Sequence, residues 1–185
     1  MVESDAEDRR RRFETVVAAT YVPLQRYLRR RTDPASADDV LGDVLLVMWR
    51  RAEDIPADAV LPWCYGVARG CLANSVRARQ RHLRLVRRLA DDRSWQPPGV
   101  AAADSRLHDA MGGLPAKDLE ILRLWAWEDL APREIALALG ISANAASIRL
   151  HRATKRLREQ LGAIAGKDPA RPGQEGIEPR TEAPR

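Results

Sequence analysis

Apolar side chains recur in steps of four and three residues between positions 143 and 161, which predicts a helix with one buried face. That face consists of Ala146, Leu150, Ala153, Leu157 and Leu161. The opposite side is mostly polar and basic, with Ser147, Ile148, His151, Arg152 and Lys155, flanked by Arg149, Arg156 and Arg158. A short amphipathic segment at 132–139 and a turn containing Gly140 and Ser142 come before it. A short helix, a glycine turn and a serine-capped basic helix are the parts of a helix-turn-helix, whose second helix enters a DNA major groove.

The first predicted helix covers residues 13–31, and residues 1–12 are expected to be frayed and without fold. Pro23 lies inside the apolar pattern, so we expect a kink or a split there, because proline lacks an amide hydrogen. Four arginines close the segment, where the negative end of the helix dipole favours them. They are Arg26, Arg29, Arg30 and Arg31.

A second helix is predicted over residues 37–51, and two starts fit its first turn. Ser36 with Asp39 resembles a capping box, and Asp33-Pro34 offers an earlier start. The core stripe consists of Val40, Leu41, Val44, Leu45 and Met48.

Leu46 and Val47 extend apolar surface beyond that stripe, so this helix is apolar nearly all round. Two interpretations remain open. The helix is either central and buried, or it presents a partner-binding surface beside Asp38, Asp39 and Asp43.

A long helix is predicted from about residue 61 to residue 89, apolar and aromatic at first and arginine-rich later. Four of its arginines share one face: Arg77, Arg81, Arg84 and Arg88. A solvated charge stripe is the plainer explanation. However, no acidic residue lies between Arg69 and Arg88 to balance the repulsion, which favours a phosphate track on nucleic acid. Aromatic side chains such as Trp63 could stack on an unpaired base, although a core position is the better expectation for Trp63.

Proline, glycine and small residues at 90–103 indicate a boundary between two units. Helical segments follow at 104–111 and 116–127, and then the helix-turn-helix. The pattern contains no alternating strand. It predicts an all-α protein of two small helical domains joined by a flexible linker, the second a helix-turn-helix domain. The expected bounds are 10–89, linker 90–103, second domain 104–162, and a disordered tail at 163–185.

The net charge of +5 and the isoelectric point near 9.7 favour a polyanionic partner, although a merely basic surface is an alternative. Cys64 and Cys71 lie seven residues apart, hence about 10 Å along a helix, too far to form a disulfide. Reduced thiols, with no apolar signal core or membrane-spanning segment, predict a cytoplasmic protein. His82, His108 and His151 are isolated, so no metal site is expected.

Two separate stretches together resemble one family. In the second domain these are Leu114-Pro115, Leu119 to Leu122, Glu134 to Ala136, Gly140 to Ser142 and Ser147 to Ala153. In the first domain they are Ala37 to Val40 through Trp49-Arg50, Trp63 through Ala68-Arg69, and Arg77 to Arg81. Over residues 13–161 the chain resembles bacterial RNA polymerase sigma factors of the extracytoplasmic-function group.

The resemblance implies a promoter-specificity subunit without catalysis, cofactor or metal. Its partners would be core RNA polymerase (clamp and flap), promoter DNA and an anti-sigma factor. The −35 element would be bound by Ser147, Ile148, Arg149, His151, Arg152, Lys155 and Arg156. The −10 element would be bound by Trp63, Arg69, Gly70, Asn74, Arg77 and Arg81. Core polymerase would be bound by Asp38, Asp39, Gly42, Asp43, Leu46 and Trp49.

Three positions depart from the family pattern. Gly42 stands where glutamine is usual, Gly70 where a base-holding asparagine is usual, and Ile148 where a polar residue is common. Asn74, one turn after Gly70, could take over the base contact. Two other functions compete with this interpretation: a stand-alone helix-turn-helix regulator, and a nucleic-acid enzyme that would use the three aspartates of the second helix.

Overall fold

The computed structural model describes residues 2–89 and 105–165, and these residues form helices joined by turns. The first domain contains α1 (Val2–Arg29), α2 (Pro34–Arg50), a 3-10 turn at Ala52–Asp54 and α3 (Val60–Leu89). The second contains α4 (Ser105–Gly112), α5 (Ala116–Ala126), α6 (Pro132–Leu139) and α7 (Ala143–Ala165). No strand occurs in either range, which confirms the all-α prediction. The expected linker at 90–103 and positions 166–185 of the expected tail lie outside the described residues.

In the first domain, α1, α2 and α3 bury the apolar stripes that the periodicity predicted. Leu24, Tyr27, Leu28, Val44, Met48, Cys64 and Ala68 are fully buried. The start of α2 is the earlier one, since the Asp33 carboxylate accepts a hydrogen bond from the Ser36 amide at 3.0 Å and Pro34 opens the helix. That hydrogen bond is the largest cause lowering the pKa of Asp33 to about 2.

The expectation of a frayed N-terminus was wrong, because α1 begins at Val2. Its first turns are attached to the end of α2. Arg9 donates to the carbonyl oxygens of Trp49 and Arg50 at 3.0 and 3.2 Å. Arg12 donates to the carbonyl oxygen of Ile55 at 2.7 Å. Carbonyl groups at a helix end lack partners within the helix, so these arginines satisfy them.

The expected break at Pro23 was also wrong, because α1 runs through it. Proline inside a helix costs about 3 kcal/mol. Thr20, Leu24 and Tyr27 around it are buried against the rest of the domain, and burying one large apolar side chain gains about 1.5–3 kcal/mol. Packing on both sides of Pro23 therefore outweighs the lost hydrogen bond.

The second domain has the helix-turn-helix that the sequence predicted. Gly140 ends α6 in the left-handed region, at φ +66°, where glycine avoids the strain of a side chain. The Ser142 hydroxyl accepts a hydrogen bond from the Ala145 amide at 3.2 Å and caps α7. Ala146 and Ala153 of α7 are fully buried against the domain core. The helix continues to Ala165, slightly past the expected start of the tail at 163.

The two domains touch through α3 and α6, and their buried residues form one continuous cluster. At the contact, a Cβ atom on Gly66 would lie 3.2 Å from the carbonyl oxygen of Ala138. This separation is tighter than ordinary van der Waals contact, so the glycine allows the two helices to approach closely.

Candidate nucleic-acid interface

The polar side of α7 faces solvent along its length. Ser147, His151, Arg152 and Lys155 are exposed, and Ile148 is 44% exposed, a high fraction for a large apolar side chain. Arg149 is half-buried. Because the other side of α7 packs on α6 and α5, this row is free to enter a groove.

Arg156 differs from the rest of the predicted −35 set. Its guanidinium donates to the carboxylate of Asp118 on α5, and the Asp118 side chain is only 9% exposed. Arg156 therefore holds α7 against α5. Sequence reasoning missed this pair, since its two members lie 38 residues apart.

The predicted −10 set lies along α3 with mostly exposed side chains. Arg69, Gly70, Asn74, Arg77 and Arg81 are exposed, and Arg77 donates to the side-chain oxygen of Asn74. No atom lies within 4 Å of where a Cβ on Gly70 would be, so packing does not require glycine there.

Trp63 is half-buried and packs against the core, and the Arg51 guanidinium lies 5.2 Å from the centre of its ring. The expectation of a core position therefore holds in part. Trp63 also lines a cleft of about 410 Å³ between α2, α3 and α6, together with Gly70 and Asn74. The cleft brings the aromatic ring and the polar members of the set to one place.

The C-terminal end of α6 covers part of this α3 surface. The Arg69 guanidinium donates to the carbonyl oxygens of Ala138 and Leu139, both at 3.4 Å. Those carbonyls belong to the last turn of α6, where the helix dipole is negative. An arginine expected to hold DNA phosphate is thus engaged by the other domain.

The predicted polymerase-binding set occupies the exposed face of α2. Asp38, Asp39, Gly42 and Asp43 are exposed, while Leu46 and Trp49 are 46% and 38% exposed. The Phe13 ring meets the Trp49 ring edge-on, with the ring centroids 5.2 Å apart, and this contact holds the orientation of the Trp49 side chain. Ala37, Val40, Leu41, Val44 and Met48 supply the core, and Leu45 and Val47 are partly buried against it. Leu46 and Trp49 are the large apolar side chains of α2 that stay exposed, which favours the partner-binding interpretation of this helix.

A network of arginines and glutamates joins the two domains, and no local pattern in the sequence predicted it. We call Arg30, Arg31, Glu120 and Glu128 the interdomain clamp. Arg31 donates to Glu128 at 3.0 Å and to Glu120 at 3.3 Å, and Arg30 donates to Glu128 at 3.3 Å. The side chains of Arg31 and Glu128 are each 3% exposed. The arginines at the end of α1 therefore bind another domain and do more than complement a helix dipole.

Two tyrosines complete this network. Tyr27 donates to Glu120 at 3.1 Å, and Arg31 lies 3.6 Å from the centre of the Tyr27 ring. Burial is the largest cause raising the pKa of both Tyr27 and Tyr65, and the carboxylates of Glu120 and Glu128 respectively raise them further. Both phenols consequently remain protonated donors.

Cys64 and Cys71 are free and buried, as expected of reduced thiols. Burial raises the pKa of Cys64 to about 12.

Within residues 2–89 and 105–165, no group of His, Cys, Asp and Glu side chains has the arrangement of a metal site. No helix among these residues is both long and apolar enough to cross a bilayer.

The family model described as Sigma-70, region 4 matches residues 104–157. RNA polymerase sigma factor CarQ of Myxococcus xanthus is 32% identical over 161 residues, 82% of this chain and 90% of CarQ. The ECF RNA polymerase sigma factor SigF of Caulobacter vibrioides is 32% identical over 148 residues, 76% of this chain and 80% of SigF. The chain belongs to the extracytoplasmic-function sigma factors of RNA polymerase. These sigma factors are non-catalytic subunits that act in transcription initiation.

Solved structures agree with this fold. The sigma factor RpoE, in complex with the anti-sigma factor NepR from Bartonella quintana, matches with a TM-score of 0.60 and 18% identity, covering 81% of this sigma factor and 96% of RpoE. CnrH, in complex with the cytosolic domain of CnrY, matches with a TM-score of 0.56 and 22% identity, and the match covers 85% of this sigma factor and 89% of CnrH. As a sigma factor, the chain binds core RNA polymerase.

Proposed function

We propose that this sigma factor reads the −35 element with α7 and the −10 element with α3. On α7, Ser147, His151 and Arg152 reach base edges, Ile148 contacts a thymine methyl group, and Arg149 and Lys155 hold phosphates. The continuous exposure of this row on a helix-turn-helix supports the assignment. We leave Arg156 out of the phosphate contacts, because its guanidinium is paired with the carboxylate of Asp118.

On α3, Arg69, Arg77 and Arg81 track the backbone of the melted strand, while Trp63, Gly70 and Asn74 surround an unstacked base. Unstacking a base costs a few kcal/mol, which these contacts must offset. Asn74 supports this proposal because it lines the same cleft as Trp63 and Gly70, one turn along the helix.

The exposed face of α2 binds the polymerase clamp through Asp38, Asp39, Asp43 and the apolar side chains of Leu46 and Trp49, with Gly42 between them. The second domain binds the flap. The proposed first domain runs from Val2, where α1 begins, to residue 89, the linker covers 90–103, and the second domain runs from residue 104 to Ala165, where α7 ends. Acidic side chains beside exposed apolar ones fit a partner surface that is both basic and apolar.

The observation that carries the proposal is the presence, in one chain, of an exposed reading face on α7 and a basic α3 beside an aromatic cleft. Run-off transcription with core polymerase on fragments of the host genome tests it. Promoter-dependent transcripts that share two sequence elements are expected. If the chain binds core polymerase but yields no sequence-selective transcript, the DNA-reading assignments fail.

An anti-sigma factor is the regulator that we propose for this chain, because the relative RpoE was solved with one. It would act in the cytoplasm, where the promoter is. Purifying the full chain from its host and identifying bound proteins by mass spectrometry tests this. A bound protein that blocks core binding is expected, whereas recovery of polymerase alone would contradict the proposal.

A further inference from the structure

The N-terminal turns of α1 reach the end of the α2 face that we assign to core polymerase. Arg9 donates to the carbonyl oxygens of Trp49 and Arg50 at 3.0 and 3.2 Å. Its guanidinium carbon lies 5.3 Å from the centre of the Trp49 ring. Phe13, one turn later on α1, meets the same ring edge-on with the centroids 5.2 Å apart. Two side chains of α1 therefore contact one indole of α2.

Arg9 is itself held in place at this contact. Its Nε atom is buried, so the guanidinium is part of the packing and is not a freely moving surface charge. The two carbonyl groups that it binds belong to the last turn of α2, where the helix dipole is negative and a cation is stabilised. A cation fixed beside an indole in this way attracts the negative face of the ring.

Trp49 combines this support with exposure. Its side chain is 38% exposed, and Leu46, three positions earlier on the same side of α2, is 46% exposed. A mobile exposed side chain loses conformational entropy when it docks on a partner, whereas a ring that is already held loses less. Tryptophan is also enriched among the few residues that carry most of the binding energy of an interface. The contacts with α1 therefore bear on how tightly this face binds.

We propose that Arg9 is a positioning residue for polymerase binding, which holds the Trp49 indole in the orientation that docks on core polymerase. This inference rests on the proposed function of the α2 face. Arg9 lies before residue 13, where the resemblance to the family begins, so no family motif assigns this role to it. The N-terminal turns of α1 thereby become part of the apparatus that binds polymerase.

Two neighbouring arginines provide matched controls. Arg12 attaches the same stretch of α1 to the first domain at another place, by donating to the carbonyl oxygen of Ile55 at 2.7 Å. Arg12→Ala therefore loosens the N-terminal turns without removing the guanidinium beside Trp49. Arg10 is exposed and pairs with Glu14 at 2.8 Å, so Arg10→Ala controls for the loss of one positive charge.

Fluorine NMR of the full chain labelled with 5-fluorotryptophan measures whether Arg9 holds the ring. Trp49→Phe identifies the Trp49 resonance among those of the five tryptophans. Arg9→Ala should move that resonance toward the position of free 5-fluorotryptophan, because the ring becomes mobile. Arg9→Lys keeps a cation and should move it less, and Arg12→Ala should leave it in place. A Trp49 resonance that is the same in Arg9→Ala and the parent would overturn the proposal.

Competition with labelled parent chain for core polymerase measures the effect on binding. Trp49→Ala should raise the Kd about tenfold, as truncation of an important interface tryptophan does. Arg9→Ala should raise it about threefold to tenfold, and Arg9→Lys less, because the lost orientation adds an entropic cost to docking. Arg10→Ala and Arg12→Ala should each change it by less than about twofold, as exposed substitutions away from an interface do.

A double variant separates positioning from direct contact. In a chain that already carries Trp49→Ala, Arg9→Ala should cause no further loss of affinity, because Arg9 acts through the indole. Losses that multiply would show that Arg9 acts independently of Trp49 and would overturn the proposal. A loss of affinity in Trp49→Ala without one in Arg9→Ala would refute the positioning role alone. Parent affinity in Trp49→Ala would refute the proposed function of the α2 face, and this inference with it.

Discussion

Arg156 separates a structural role from a DNA-binding role more sharply than any other residue of α7. The family pattern places it among the −35 contacts, whereas the structure pairs it with the nearly buried Asp118 of α5. We predict that Arg156→Ala destabilises the fold and leaves the number of DNA phosphate contacts unchanged.

The magnitude follows from the burial of the two partners. A hydrogen bond to a charged group contributes about 1.5–3 kcal/mol. The Arg156 side chain is 53% exposed, so water screens part of this attraction. Asp118 lies in the first turn of α5, where the positive end of the helix dipole stabilises its carboxylate even without Arg156. This interaction offsets roughly 0.3–1 kcal/mol of the stability lost with the arginine. We expect the free energy of unfolding to fall by about 1–2 kcal/mol, which lowers Tm by roughly 2–8 °C.

Urea and thermal unfolding of the full chain, followed by circular dichroism, measure this change. Arg158→Ala is the matched control, because Arg158 is exposed on the same helix two positions on. It should change stability by less than about 0.5 kcal/mol. A double-mutant cycle with Asp118→Ala should give a coupling energy of about 1–2 kcal/mol, since the two residues touch.

The dependence of promoter binding on salt, measured for the polymerase complex, supplies the second measurement. Losing one phosphate contact reduces the salt slope by about 1. Arg156→Ala should keep the parent slope. Unchanged stability together with a slope smaller by about 1 would refute the structural role and return Arg156 to the DNA contacts.

Three further predictions concern the interface and the core. Arg152→Ala should lose about 1–3 kcal/mol of discrimination between −35 sequences, measured on a panel of templates, whereas an equal loss on all sequences would make Arg152 a phosphate contact. Gly70→Asn should fold normally, because nothing lies within 4 Å of a Cβ at this position. It should change the base preference in the −10 element, whereas Gly70→Ala should keep the preference of the parent. The same preference in Gly70→Asn and the parent would contradict a base pocket at this position. Burial raises the pKa of the Cys64 thiol from 9.0 to about 12. The stability that the protonated thiol contributes should therefore be complete below about pH 9 and be lost as the pH rises toward 12. Urea midpoints measured across this range should show the loss in the parent and not in Cys64→Ala.

Local sequence predicted most of the helices of this protein. The spacing of Ala146, Leu150 and Ala153 set the buried side of α7, and the exposed row opposite followed from the same period of 3.6 residues. Gly140 indicated the turn, because glycine adopts the left-handed conformation without strain. Ser142 indicated the helix cap, because its hydroxyl accepts a hydrogen bond from a free amide of the first turn. Such signals act over one or two turns, so they can be read without the fold.

The errors at the N-terminus and at Pro23 have a common physical reason. Polar residues 2–12 are helical because Arg9 and Arg12 donate to carbonyl groups 40 to 43 positions away, at the end of α2 and at Ile55. The helix passes Pro23 because its neighbours are buried against other helices. Local propensity argued against both, and tertiary packing outweighed it.

The pairing of the domains was decided by tertiary structure alone. Arg31 and its two glutamates lie 89 and 97 residues apart, and neither position carries a local pattern that specifies the other. The role of Gly66 likewise depends on which backbone it meets. Periodicity and side-chain chemistry were enough to predict most of the helices and the order of the two domains, and to propose residues for DNA contact. Which of those residues are exposed depends on contacts between distant segments, because these contacts follow from the shape of the whole core.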